Sequence, residues 1–120
     1  MRMILQRDYG FEAAHFLPRV PAGHPCARVH GHSYSVSISI EGQVNATTGW
    51  IMDFADIDAH VAPLMNQLDH RLLNEIDGLA NPTSELLAAW LWMRLRERIP
   101  QLTSVEISET RTSRCIYRGD

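Results

Sequence analysis

The 120-residue chain contains no lysine, and all eleven of its basic side chains are arginine. A lysine Schiff base is thereby excluded, and with it carbonyl chemistry through a side-chain amine. Cysteine is almost as scarce. Cys26 and Cys115 have neither a CxxC spacing nor a secretory context, so both read as thiols rather than as a disulfide. No apolar run approaches the roughly 20 residues of a bilayer span. The opening MRMILQRDYG lacks the apolar stretch and small-residue cleavage site of a signal peptide, so a cytoplasmic location is expected and a membrane is not an expected partner. The formal charge is −3 with both signs interspersed, which leaves no basic stripe for a nucleic-acid backbone. Histidine, cysteine, aspartate and glutamate remain to carry any chemistry.

What is present is an ordinary globular composition, 45% hydrophobic and 21% charged, enough to bury one core in one domain spanning residues 1–120. From Met3 to His15 the odd positions are mostly apolar, at the period of a strand, with Arg7 the misfit. His30, His32, Tyr34, Val36, Ile38 and Ile40 share one face of a second strand whose other face carries Ser33, Ser35, Ser37 and Ser39. The intervening LPRVPAGHPCARV, with three prolines, reads as a loop.

A helix is expected over Asp53–Leu68, capped by Asp53, with Phe54, Ile57, Val61, Leu64, Met65 and Leu68 on its apolar side and a kink or break at Pro63. A second is expected from about Thr83 to Arg98, started by NPTSE with Glu85 in its first turn, and stopped by Pro100. Val105, Ile107 and Glu109 mark a third strand and CIYR a short fourth. The order ββααββ implies an α+β fold, helices on one face of an antiparallel sheet, with two edges that need partners or protection.

His30 and His32 lie on one side of a strand, and parity puts His15 on the matching side of its neighbour. Three imidazoles on one face are the ligand set of a catalytic zinc site with a fourth position open; satisfied core histidines are the competing reading. Cys26, four residues before His30, fits a further ligand, a nucleophile or base beside an open metal, or a small buried hydrophobe. His24, two residues before it, is a further ligand candidate that with Cys26 would close the coordination sphere into a structural site. Asp69-His70 pairs an acid with an imidazole, either a thiol-activating couple or a histidine at a helix C-terminus. Glu109 shares a face with Val105 and Ile107, where a carboxylate is costly unless paired. Two parallel N–H donors of a guanine-like ring would satisfy it, as would Arg111 or Arg114.

FEAAH, the Cys-x-x-x-His-Gly-His-Ser-Tyr block, TGWIMDF, LDHRLLN, NPTSE and the closing ET-x6-YRG together resemble the 6-pyruvoyltetrahydropterin synthase / QueD family from end to end. The resemblance implies the tunnelling fold, in which ββααββ subunits join their sheets into a barrel, usually as a hexamer of two trimers, with active sites between subunits. It implies zinc on His15, His30 and His32, a catalytic Cys26 that abstracts a substrate proton, and Asp69 and His70 assisting it. It further implies a pterin anchored by Glu109 and contacted by Thr83 and Ser84. The three-residue gap between Cys26 and His30, TGWIMDF and CIYRG look like the QueD type. That type converts 7,8-dihydroneopterin triphosphate to 6-carboxy-5,6,7,8-tetrahydropterin, releasing acetaldehyde and triphosphate, on the path to queuosine. The alternatives are triphosphate elimination to the pyruvoyl pterin and a non-catalytic zinc or pterin module. Tyr34 stands where Phe is more usual, and no role for His24 or Cys115 follows.

Overall fold

Strands β1 (Arg2–His15) and β2 (His30–Gln43) form a long antiparallel hairpin in the computed structural model, which describes residues 1–120. The register opposes Phe11 to Tyr34, Ala13 to His32 and His15 to His30. Because side chains alternate, these six share a face. Helix α1 (Phe54–Leu68), strand β3 (Arg71–Leu72), helix α2 (Ser84–Leu95) and strands β4 (Leu102–Thr110) and β5 (Ser113–Tyr117) follow.

The sheet order is β3-β1-β2-β4-β5, antiparallel except for β3, which pairs parallel with Ala13 and Ala14. Five strands therefore stand where four are expected. Two residues are too few to show a period, and β3 exists only because the turn after α1 lays them beside β1.

Buried apolar residues form one core of 23, in which Tyr34, Val36, Ile38 and Ile40 of β2 meet Ile57, Val61, Leu64 and Leu68 of α1 and Leu87, Leu91 and Leu95 of α2. The serine face of β2 lies on the other side. No helix is long and apolar enough to cross a membrane.

Asp53 caps α1 by accepting from the Ala55 amide, as its sequence position suggests. The helix does not break at Pro63. Proline removes one backbone donor and frees a carbonyl one turn earlier. Pro63 and Ala59 both lie on the exposed side, where the freed carbonyl is open to solvent. Phe54, expected in the apolar stripe, is 43% exposed and lies under the Arg7 guanidinium, 5.3 Å from ring centre to Cζ. Arg7 also makes a two-pronged contact with Asp58 of α1, at 3.0 Å for each bond, while the Tyr9 hydroxyl donates to the same carboxylate at 2.5 Å. The misfit in β1 thus fastens the helix to the sheet. Helix α2 ends at Leu95 rather than Arg98; the amides of Arg98 and Ile99 both turn back onto the Leu95 carbonyl, and Ile99 is buried beneath.

Candidate metal centre and ligand cleft

The ligand atoms of His15, His30 and His32 lie within 4.8 Å of one another, a group able to hold a metal ion. Strand register is the cause, since His15 and His30 are direct partners and His32 sits one pleat further along the same face. The His15 Nδ1–H donates to the Pro82 carbonyl at 2.8 Å, and the His30 Nδ1–H donates to the Arg28 carbonyl at 2.7 Å. Those carbonyls assign the tautomers and leave both Nε2 lone pairs free.

The two Nε2 atoms are only 3.0 Å apart. With both Nδ1 positions protonated, a proton or a metal cation between them is what relieves the facing lone pairs. His32 Nε2 is buried and has no hydrogen-bond partner. Burial first, and then its two neighbouring imidazoles, hold His32 below the usual histidine range, while Glu109 works against them. Three imidazoles with nitrogens turned to one point fit a metal with a position to spare. Satisfied core histidines would show no such orphaned nitrogen.

Tyr34 lies beneath this centre, its hydroxyl 3.2 Å from His15 Nδ1 and its ring stacked on Phe11 at 4.7 Å. Burial pushes its phenol up, so it stays neutral.

Cys26 and His24 are outside the metal-holding group. Cys26 is half-buried in a single 3-10 turn, Pro25–Ala27, and its amide donates to His24 Nδ1 at 3.0 Å. Capping that turn is the role the structure gives His24. The Leu17 amide donates to the Cys26 carbonyl at 2.8 Å and holds the turn against the end of β1.

Asp69 and His70 do touch. One Asp69 oxygen lies 2.9 Å from His70 Nδ1, and the other accepts from the Glu12 amide at 2.9 Å. That amide and His70 together hold the Asp69 carboxyl below the usual range. The His70 amide donates to the Glu12 carbonyl at 2.6 Å, and His70 takes φ 58°, the left-handed region that non-glycine residues seldom occupy. His70 therefore presents a free Nε2 to solvent, with 78% of its side chain exposed. With Glu12, Ser33 and Arg71 it lines a cleft of about 550 Å³ on the helix-free face of the sheet, and no hydrogen bond joins it to Cys26.

Glu109 occupies a β-bulge. Ile107 pairs with Cys115 and Thr110 with Ser113, so Ser108 and Glu109 together oppose Arg114 alone. The bulge leaves Glu109 half-buried at 27% exposure rather than deep in the core, its Oε2 3.7 Å from His32 Nε2. That distance is too long for a hydrogen bond. Neither arginine neutralises it, since Arg114 pairs with Glu106 at 3.4 Å. Glu109 instead faces a cleft of about 380 Å³ shared with Ser84, Glu85, Ile107, Ser113, Arg114 and Cys115. The Thr83 hydroxyl is engaged in accepting the Leu86 amide as the N-cap of α2, so Ser84 is the one of the pair that lines the cleft. Glu85 and Cys115 were not legible as cleft residues. Glu85 reads as a helix-start carboxylate, and only the β4–β5 pairing brings Cys115 beside Glu109.

A face of paired strands whose three histidines are able to hold a metal, with a carboxylate cleft at its margin, defines a sheet-borne histidine centre. Comparison with known proteins is consistent with this picture. The family described as 6-pyruvoyl tetrahydropterin synthase matches residues 4–120. A 6-carboxy-5,6,7,8-tetrahydropterin synthase of Synechocystis is 42% identical over 95% of this chain and 92% of its own length. The protein of that name in Bacillus subtilis is 33% identical over 95% and 84%. The human 6-pyruvoyl tetrahydrobiopterin synthase is 30% identical over 76% and 67%. The solved 6-pyruvoyl tetrahydropterin synthase of Caenorhabditis elegans superposes with a TM-score of 0.92 over 100% of this chain and 97% of that one, at 24% identity, and shares its fold. The chain belongs to the 6-pyruvoyl tetrahydropterin synthase family and has its tunnelling fold.

Proposed function

We infer that the chain is a 6-carboxy-5,6,7,8-tetrahydropterin synthase, a carbon–carbon lyase. It converts 7,8-dihydroneopterin triphosphate to 6-carboxy-5,6,7,8-tetrahydropterin with release of acetaldehyde and triphosphate, on the path to queuosine in the cytoplasm. Relatives of that name at 42% and 33% identity, matched over most of both chains, support the reading. The observation that carries it is the convergence of three free imidazole nitrogens beside Glu109, a carboxylate that no arginine neutralises.

Zinc suits three neutral imidazoles with an open fourth position, and when bound by His15, His30 and His32 it supplies Lewis-acid polarisation of side-chain oxygens. Glu109 accepts two parallel N–H bonds from the pterin edge and, with Ser84, holds the ring still, so that the reacting carbon stays within reach. Cys26 takes a proton from the substrate side chain as a thiolate. Asp69 fixes His70 with Nε2 free, ready to relay that proton.

Cys26 and His70 make no hydrogen bond to each other within the chain, and His70 is largely exposed. That placement supports a site completed between copies, the Cys26 of one meeting the His70 of another, in the homo-oligomer of two trimers that the family resemblance implies. The test is direct. The zinc-loaded protein incubated with dihydroneopterin triphosphate should release acetaldehyde and a carboxylated pterin. Triphosphate without acetaldehyde, and a retained pyruvoyl side chain, would assign it to the pyruvoyl branch; no turnover at all would leave a binding module.

A further inference from the structure

We propose that Cys115 is a specificity-determining residue of the ligand cleft, its sulfur forming the wall against which the planar heterocycle held by Glu109 packs. This inference rests on the pterin reading above. Cys115 opposes Ile107 across the β4–β5 ladder, so its side chain points to the helix-covered face, diagonal to Glu109. The same cleft of about 380 Å³ is lined by Cys115, Ile107, Glu109, Ser84 and Glu85, with Ser113 and Arg114 at its rim and the Arg114 guanidinium engaged by Glu106. A ring whose edge is bonded to Glu109 has its remaining outline set by what stands across the cleft, and β5 contributes Cys115 there.

Size and softness both matter. Cys115 is a free, half-buried thiol with no hydrogen bond assigned to it, and burial, with the nearby Glu85 carboxylate, pushes it up. It stays neutral near pH 7, and a neutral, polarisable sulfur makes favourable contact with an aromatic ring without adding a third negative charge beside Glu85 and Glu109. A larger side chain would fill the space a bicyclic ring needs, while serine would keep the volume and lose the soft contact.

Two measurements on the zinc-loaded, full-length protein test the proposal. The first is the rate of iodoacetamide alkylation at Cys115, read on its own peptide by mass spectrometry so that Cys26 does not interfere, with and without neopterin as a probe that does not turn over. Neopterin should slow alkylation of Cys115 several-fold. The second is kinetic. Cys115→Leu should raise KM for dihydroneopterin triphosphate by roughly tenfold or more, the scale on which a pocket discriminates a change of one or two methylenes, with smaller effects on kcat and zinc content. Cys115→Ser should change KM less.

A Leu variant that fails to fold is recognised by its thermal unfolding, and the alkylation result on the unaltered chain still decides. Neopterin binding that requires Glu109, judged by its loss in Glu109→Gln, combined with unprotected Cys115 and a parental KM in Cys115→Leu, overturns this inference alone. Neopterin binding indifferent to Glu109→Gln overturns the pterin reading of the cleft and this inference with it.

Discussion

At the scale of single residues, each group in the centre is defined by what it does not bond. His32 Nε2 has no partner, the Nε2 atoms of His15 and His30 have only each other at 3.0 Å, and Glu109 makes no ion pair with an arginine. Each buried polar group left so would be costly, and a metal and a ligand edge remove the cost together. His32→Ala should therefore lower bound zinc well below one per chain, measured by metal analysis after gel filtration; undiminished zinc would sink the three-histidine assignment. Glu109→Gln keeps the shape and loses charge-assisted acceptance, which contributes about 1.5–3 kcal/mol per bond, so pterin affinity should fall at least tenfold while zinc and fold persist. Titration with neopterin measures it. Cys26 stands outside the metal group. Cys26→Ala should keep zinc and the thermal midpoint yet lose roughly 10²–10⁴-fold in turnover, the contribution of a positioned acid or base. Parallel loss of metal and activity would mean that the thiol is a ligand.

At the scale of elements, the helices are held to the sheet by contacts that a period cannot show. Asp58 of α1 accepts from Arg7 and Tyr9 of β1, and those hydrogen bonds hold its carboxyl below the usual range. A carboxyl depressed in the folded state contributes stability above its unfolded pKa, about 4, and loses it as pH falls through the folded value. The thermal midpoint of the parent should thus fall more steeply below about pH 4 than that of Asp58→Asn, which has no proton to take up there. Equal slopes would refute the role of this carboxylate. The turn after α1 carries a second consequence. His70 sits at φ 58°, a conformation costing most residues about 1 kcal/mol and glycine almost nothing. His70→Gly should keep or slightly raise the thermal midpoint while turnover drops as far as in His70→Ala. A variant that loses stability with activity would make His70 structural.

At the scale of the molecule, the chain is longer than a self-contained body of its size. Its radius of gyration is 15.6 Å, against about 13.6 Å expected for a compact chain of this length. Near the free end of the β1–β2 hairpin, Met3 and Ile4 are exposed beside Trp50 and Phe54. Strand β3 covers β1 only at Ala13 and Ala14, and β5 forms the other edge of the sheet. Open edges invite pairing with further copies, which also covers exposed apolar surface. Native mass spectrometry should read six chains, and a monomer would overturn the proposed assembly. Shared sites are testable separately. Cys26→Ala and His70→Ala, each inactive alone, should regain activity when unfolded together and reassembled, with roughly a quarter of sites carrying both intact groups. No recovery would place both groups in one copy.

The sequence alone determined the face that carries the three histidines, because strand parity is set by a two-residue period and β1 and β2 keep it without interruption, so that His15, His30 and His32 fall on the side of Tyr34 and Val36. It determined both helices, whose starts are written in Asp53 and Thr83 as capping side chains. It did not determine the unbroken α1, because whether Pro63 costs a helix depends on the freed carbonyl reaching water, and exposure is a tertiary property. Nor did it determine β3, the Asp69–His70 contact or the bulge at Glu109. Each arises where the backbone leaves a regular period to meet a distant segment, and local patterning carries no record of that partner. The cleft itself follows from the same cause: Ser84, Glu109 and Cys115 come from three elements, and only the packing of α2 against the β4–β5 ladder makes them neighbours.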